Sequence, residues 1–295
     1  MTVLKGRVLK NYNGYYYVNV PEENKTYTCK VKGKMKKSRF SLATGDFVDF
    51  ELGENDEGMI LKVLPRTNYL MRPIMANLDL FVATFACANP DFSPIIADKL
   101  ITFAECGEIP LIIVLNKKDL AEPGFIEQMQ NTYGKIGYEI FPICAKTGEG
   151  VEALREKLRG KVCAFGGPSG VGKSSTINAI DPNVALRTGD VSEKIGRGKH
   201  TTRFAELLPF DEGYIADTPG FGNLLLEGFT TENVLTGFQE FLNYADACRF
   251  HPCTHTHEPG CAVKTAVEAG EIAKTRHTSY LEMLEEIALL NKKQW

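Results

Sequence analysis

GGPSGVGKSS, residues 166–175, follows an apolar run (KVCAFGG, 161–167) and leads into SSTINAI (174–180). Gly167, four intervening residues and then Gly172-Lys173-Ser174 give the spacing of a phosphate-binding loop. Its flanks read as the strand and the helix start that such a loop requires. The glycines let backbone N–H groups turn inward around phosphates. The helix dipole and Lys173 add positive charge, and the Ser174 hydroxyl can ligate Mg²⁺. Pro168, Ser169, Gly170, Val171 and Ser175 fill out the cradle.

Upstream, the apolar run IPLIIVL (109–115) ends in LNKKDL (115–120). Asn116-Lys117-Lys118-Asp119 has the pattern Asn-Lys-x-Asp at a strand end. The Asp119 carboxylate can accept both N–H groups on the Watson–Crick side of guanine, whereas adenine lacks the 2-amino donor. Sites built this way discriminate by ~10⁴-fold or more, so the expected base is guanine. A second base-side element, Cys144-Ala145-Lys146, ends the next strand (YEIFPIC, 138–144). Its backbone N–H groups are expected to meet the guanine carbonyl, and the Cys144 side chain is expected to matter little.

Two elements follow the loop. Asp217-Thr218-Pro219-Gly220 ends the strand YIADTPG, as a Mg²⁺-associated Asp and a phosphate-sensing Gly should. Before it, GRGKHTTRF (196–204) offers Thr201 and Thr202, and Thr202 is favoured to complete the Mg²⁺ ligands Ser174 and Asp217. All five nucleotide elements are thus present, in the order 4-5-1-2-3. In an open parallel sheet, ligand loops lie at the carboxyl ends of strands whatever order the chain visits them. The inverted order therefore predicts a circularly permuted GTPase domain, joined at LREKLRGKVCAF through Gly160.

The surrounding texture agrees with an α/β class. LDLFVATFA (78–86), 94–106, PLIIVL, 124–133, YEIFPIC and VEALREKL (151–158) alternate strand and helix, the rhythm of a parallel sheet covered on both faces. Residues 3–64 instead read as five short strands (RVL, YYYVNV, YTCKV, DFVDFEL, GMILKVL), which suggests an OB-fold β-barrel. Pro65 and Arg72-Pro73 mark a linker. The expected domains are an OB-fold over 1–67, the permuted GTPase over 68–225, and a mostly helical zinc-binding domain over 226–295. Near the C-terminus, Tyr280, Leu281, Leu284, Ile287 and Ala288 make a helical apolar stripe read as core.

Composition, 43% hydrophobic and 24% charged, is that of an ordinary globular protein. No apolar run approaches the about 18 residues of a membrane span, the N-terminus lacks a signal-peptide core, and a cytoplasmic protein is expected. Residues 1–67 carry a net charge of +4, leaving −7 for the rest. Within KVKGKMKKSR (30–39), Lys32, Lys34, Lys36, Lys37 and Arg39 form a basic run with no acid. A solvated loop and a contact to nucleic-acid phosphates are both open readings.

CRFHPCTHTHEPGC spans 248–261. Cys248, Cys253, His255 and Cys261 offer three thiolates and an imidazole, a closed set suited to structural Zn²⁺. His251 and His257 compete for the imidazole place.

The barrel, the permuted motif order and the Cys-Cys-His-Cys segment together resemble the ribosome small subunit-dependent GTPase A (RsgA) family. GPSGVGKSS, GRGKHTTR, DTPGF and CRFHPCTHTHEPGCAV all look like that family's motifs. The resemblance implies GTP hydrolysis to GDP and phosphate during late maturation of the small ribosomal subunit, stimulated by the 30S particle. It also implies zinc at Cys248, Cys253, His255 and Cys261, and contact of the barrel and zinc domain with 16S rRNA, which favours a phosphate role for the basic run. Tyr15–Tyr17 offer stacking rings, with core packing expected of at least one. Phe221 stands where Ras-like enzymes place a water-orienting Gln, so slow intrinsic turnover is expected. His200 is the candidate to orient the attacking water, beside Lys173 and Thr202. A monomer without membrane association is expected. The competing reading is an RNA-binding module for which GTP is only a conformational ligand.

Overall fold

Alternation of buried and outward residues builds the first element group. The structure, a computed structural model, describes residues 3–31, 42–53, 57–71, 73–184, 205–217 and 226–292. Strands β1 (Val3–Tyr12), β2 (Tyr15–Val20), β3 (Lys25–Val31), β4 (Phe47–Leu52) and β5 (Glu57–Val63) close into a barrel of order β1-β2-β3-β5-β4. Only β3 and β5 pair in parallel, and this closure gives the expected five-stranded OB barrel. Every second residue points inward, so Val18 and Val20, Tyr27 and Cys29, and Val48 and Phe50 meet Val8 and Ile60 in one core. Tyr16 packs against that core, while Tyr15 and Tyr17 lie under the ammonium groups of Lys30 and Lys10.

The stretch expected as a linker is ordered. Strands β6 (Tyr69–Met71) and β7 (Ile74–Ala76) form a small antiparallel ladder. Arg66 grips the fully buried Asp46 carboxylate at 2.7 and 2.8 Å. The barrel belongs to a compact unit made of Met1–Phe81, Arg155–Phe165 and Ile180–Gly220. Strands β12 (Glu206–Phe210) and β13 (Gly213–Asp217) form a hairpin there, and Tyr214 donates to Asn19 Oδ1 at 2.8 Å.

The second unit comprises Val82–Leu154, Gly166–Ala179 and Phe221–Trp295. Strand β8 (Leu80–Ala86) is buried along its whole length, and so is β9 (Leu111–Asn116), as central strands of a covered sheet must be. Between them runs α1 (Pro94–Cys106), started by a proline whose missing N–H costs nothing in the first turn. The chain continues through α2 (Phe125–Met129), β10 (Glu139–Pro142) and α3 (Val151–Leu158), crosses the first unit as β11 (Val162–Gly166), and returns in α4 (Lys173–Ile180). The helix expected over 124–133 is α2 alone, followed by a wider π turn at Gln130–Gly134. Strands β10, β9 and β8 follow one another in that order in this unit, and β11, β13 and β12 in the first, so β11 pairs with β13 although the chain reaches β12 before it. The permutation join is the short link 159–161, which turns at Gly160 with φ +68°.

The C-terminal part is helical, as expected: α5 (Thr231–Thr236), α6 (Leu242–Ala245), α7 (Ala262–Glu268) and α8 (Lys274–Lys292). Phe238, Phe241 and Tyr280 pack edge to face or tilted, with ring centroids 5.2–5.3 Å apart. The buried face of α8 carries Arg276, Ser279, Tyr280, Met283 and Ile287. Leu281 and Ala288 face outward instead, because Arg276 and Met283 claim the inward phase.

Candidate nucleotide site and metal centre

The base-reading and phosphate-loop residues converge within the second unit. Gly167, Gly170 and Gly172 adopt φ of +140°, +80° and +93°. A Cβ on Gly167 would lie 2.0 Å from Thr84 O, and one on Gly172 would lie 2.3 Å from Asn116 Nδ2. Glycine is thus required both for conformation and for space. Lys173 opens α4, and its ammonium donates to the carbonyls of Gly167 (2.7 Å) and Pro168 (2.8 Å) inside the loop. Burial pushes its pKa below the ordinary lysine value. Ser174 and Ser175 lie exposed on the first turn, and Ser169 and Gly170 are exposed at the rim.

Asn116, 3% exposed at the end of β9, holds three segments together. Its amide donates to Val171 O at 3.0 Å, and its Oδ1 accepts the Ala145 N–H at 3.0 Å. The next residue, Lys117, takes a left-handed backbone (φ +57°) and donates to Gly170 O at 2.8 Å and to Asn89 O. Lys118 pairs with Glu149. Asp119 is exposed and accepts the Cys144 thiol on Oδ1 at 3.2 Å. Lys146 is exposed at the end of this constellation. Residues 116–119, 144–146 and 167–173 are therefore one site.

Sequence reasoning missed Asn89, whose carbonyl receives Lys117, and Glu149, which receives Lys118. The Cys144 thiol, of which little was expected, lies 3.2 Å from Asp119 Oδ1. Contacts through carbonyls leave no trace in residue type, and the direction of a thiol is set by the loop around it. Asp217 ends β13, and its side chain is outside what the structure describes, as are His200, Thr202, Gly220 and Phe221. Lys32, Lys34, Lys36, Lys37 and Arg39 also lie outside the described residues.

A separate cluster lies in the same unit. The ligand atoms of Cys248, Cys253, His255 and Cys261 all lie within 4.8 Å of one another. Cys248 Sγ is 3.8 Å and Cys261 Sγ 3.5 Å from His255 Nδ1, and the two sulfurs are 4.0 Å apart. A tetrahedral ion with metal–sulfur bonds of about 2.3 Å has edges of roughly this length, so the donor set fits a metal ion. His251 and His257 are exposed and outside the cluster. Burial alone would push the Cys248 thiol up, but N–H groups of Ala262 and Val263 and the neighbouring thiols bring it below its ordinary value. Between 248 and 261 only Cys248, His255 and Cys261 are buried, and the two thiols join the core that holds Phe238, Phe241 and Tyr280. Helix α8 supports it from behind: Tyr280 donates to Thr254 O at 3.0 Å, and His277 Nε2 lies 2.9 Å from His255 O.

Comparison with known proteins agrees with this arrangement. Residues 63–227 match the family described as RsgA GTPase, and residues 5–60 match the RsgA N-terminal domain. A small ribosomal subunit biogenesis GTPase RsgA of Caldanaerobacter subterraneus subsp. tengcongensis is 41% identical over 100% of this chain and 99% of its own length. The protein of the same name from Alkaliphilus metalliredigens is 40% identical, covering 96% and 97%. The crystal structure of YjeQ from Thermotoga maritima superposes with a TM-score of 0.85 at 35% identity, covering 97% of this chain and 99% of that one. YloQ, described as a circularly permuted GTPase, gives 0.80 at 29% identity, covering 97% and 96%. With its barrel, its permuted sheet and its Cys₃His cluster in the same succession, the chain belongs to the RsgA family of circularly permuted GTPases.

Proposed function

We propose that the chain binds the 30S ribosomal subunit and hydrolyses GTP to GDP and phosphate during late small-subunit maturation, faster on the subunit than alone. Relatives named small ribosomal subunit biogenesis GTPase support the setting. The observation that carries the nucleotide reading is Asn116, whose one side chain ties the base loops to the phosphate loop.

In this reading Asp119 accepts the guanine N–H groups, while the backbone of Cys144, Ala145 and Lys146 faces the carbonyl. Lys117 covers the base, Lys118 braces the segment through Glu149, and residues 167–175 cradle the phosphates. Lys173 leaves its two carbonyl partners for the phosphates. Ser174, Thr202 and Asp217 would hold Mg²⁺, whose charge would offset that of the phosphate oxygens. Gly220 senses the γ-phosphate, and His200 orients the attacking water. The cluster at Cys248, Cys253, His255 and Cys261 holds one structural Zn²⁺. The basic residues Lys32, Lys34, Lys36, Lys37 and Arg39 contact 16S rRNA phosphates. The protein acts as a cytoplasmic monomer, with domains over 1–67, 68–225 and 226–295.

Phosphate release from GTP with and without purified 30S subunits tests the proposal. Strong stimulation is expected, and equal rates would remove the subunit from the mechanism.

A further inference from the structure

The turn that precedes β4 is firmly mounted. The Asp46 carboxylate accepts Ala43 N at 2.7 Å as well as the Arg66 guanidinium, and Ala76 N of β7 donates to Thr44 O at 2.9 Å. From this mount the buried Thr44 hydroxyl donates to Ala205 O at 2.9 Å, immediately before β12. The other strand of the hairpin is reached through Tyr214, whose hydroxyl donates to Asn19 Oδ1 of β2 at 2.8 Å. Lys10 adds a partly exposed ion pair with Glu206 at 2.8 Å, a contact of little strength in water. The Arg7 guanidinium lies 4.3 Å from the Phe47 ring centroid and 5.7 Å from that of Tyr214. Its Nη1 is buried without a hydrogen-bond partner among the described residues. Rings attract a cation without fixing its direction, so this contact tolerates a shift that the two hydroxyl bonds resist.

The hairpin held in this way carries the chain into chemistry at both ends. Ala205 directly follows the stretch 196–204, Glu206 pairs with Asp217 in the ladder, and Tyr214 stands three residues before Asp217. We infer that Thr44 and Tyr214 are positioning residues that couple the barrel to the segments 196–204 and 217–220, so that a partner seated on the barrel stimulates GTP hydrolysis through the β12–β13 hairpin. The inference rests on the reading of the chain as a GTPase stimulated by the 30S subunit, and names the contacts that regulate it. A coupling of this kind is a difference between the free and the engaged protein. Its loss therefore shows in the stimulated rate and not in the rate of the chain alone.

The experiment measures GTP hydrolysis by the full chain with and without purified 30S subunits, alongside co-sedimentation with the subunit in the GDP form. Thr44→Val keeps the shape of the side chain and removes its hydroxyl, and Tyr214→Phe does the same on β13. Each is expected to lower the subunit-stimulated rate about three- to tenfold, as for one lost hydrogen bond. The unstimulated rate and the co-sedimentation should stay as in the wild type. Thr44→Ser, which keeps the donor and loses a methyl group, should keep the stimulation; a packing role would give the opposite order. Full stimulation in either hydroxyl-free variant, or a Thr44→Ser variant as poor as Thr44→Val, overturns the inference alone. So does an unstimulated rate that falls by the same factor, or a loss of co-sedimentation. A wild-type chain equally fast with and without the subunit overturns the proposed function and the inference together.

Discussion

Lys173 shows how one residue's chemistry depends on what fills its loop. Burial holds its ammonium below the ordinary value of 10.5, and among the described residues its partners are the Gly167 and Pro168 carbonyls. Phosphate oxygens in the loop would favour the charged form and raise the value again. GDP affinity should therefore be flat below the free-state pKa and fall as pH rises through it, with a proton taken up on binding in that range. Calorimetry in two buffers of different ionisation enthalpy reads that proton directly. Lys173→Met should abolish the uptake and most of the binding. An affinity independent of alkaline pH would show that the ammonium does not meet the phosphates.

Among the secondary-structure elements, the pairing of α1 with α8 depends on a buried charge. Arg276 is 1% exposed and donates to Asp98 Oδ1 at 2.6 Å, Gly237 O at 2.6 Å and Glu240 at 2.8 and 3.0 Å. Its guanidinium also lies 4.2 Å from the Phe238 ring centroid. Removing one partner of such a group strands the others without water, at a cost of about 3–5 kcal/mol. Arg276→Met and Asp98→Leu should each destabilise by that order in urea unfolding, while the double variant costs clearly less than the sum. Additive losses would mean that the two side chains act separately. No sequence rule placed this arginine in the core; in the helical stripe of α8 it is merely a basic residue between polar neighbours.

On the scale of the whole molecule, two features carry the architecture: the permuted sheet and the Cys₃His centre. Only three residues between 248 and 261 are buried and all three belong to the cluster, so a metal ion held there would cross-link a stretch whose other side chains lie at the surface or only partly buried. Chelation, or Cys261→Ser, should expose this stretch to proteolysis and release its contacts with Tyr280 and His277. The barrel, closed around its own core, should keep its β signature in circular dichroism. Unchanged cleavage after stoichiometric metal removal, checked by elemental analysis, would show that the centre is dispensable for folding. Among the described residues no helix is long and apolar enough to cross a membrane.

Local chemistry made much of this legible in the sequence. Gly167, Gly172 and Lys173 reveal a phosphate loop because only glycine tolerates that backbone and only a cation suits its centre. Alternating apolar residues gave the barrel strands, and the order of Asn116 before Gly167 gave the permutation, because strand ends converge regardless of chain order. Tertiary structure alone decided which histidine joins the thiols, that Arg66 pairs with the buried Asp46, and that α8 turns Arg276 inward. It also decided that the Cys144 thiol points at Asp119. These outcomes depend on which distant groups compete for the same buried space and the same acceptors, and residues far apart along a chain carry no local trace of that competition.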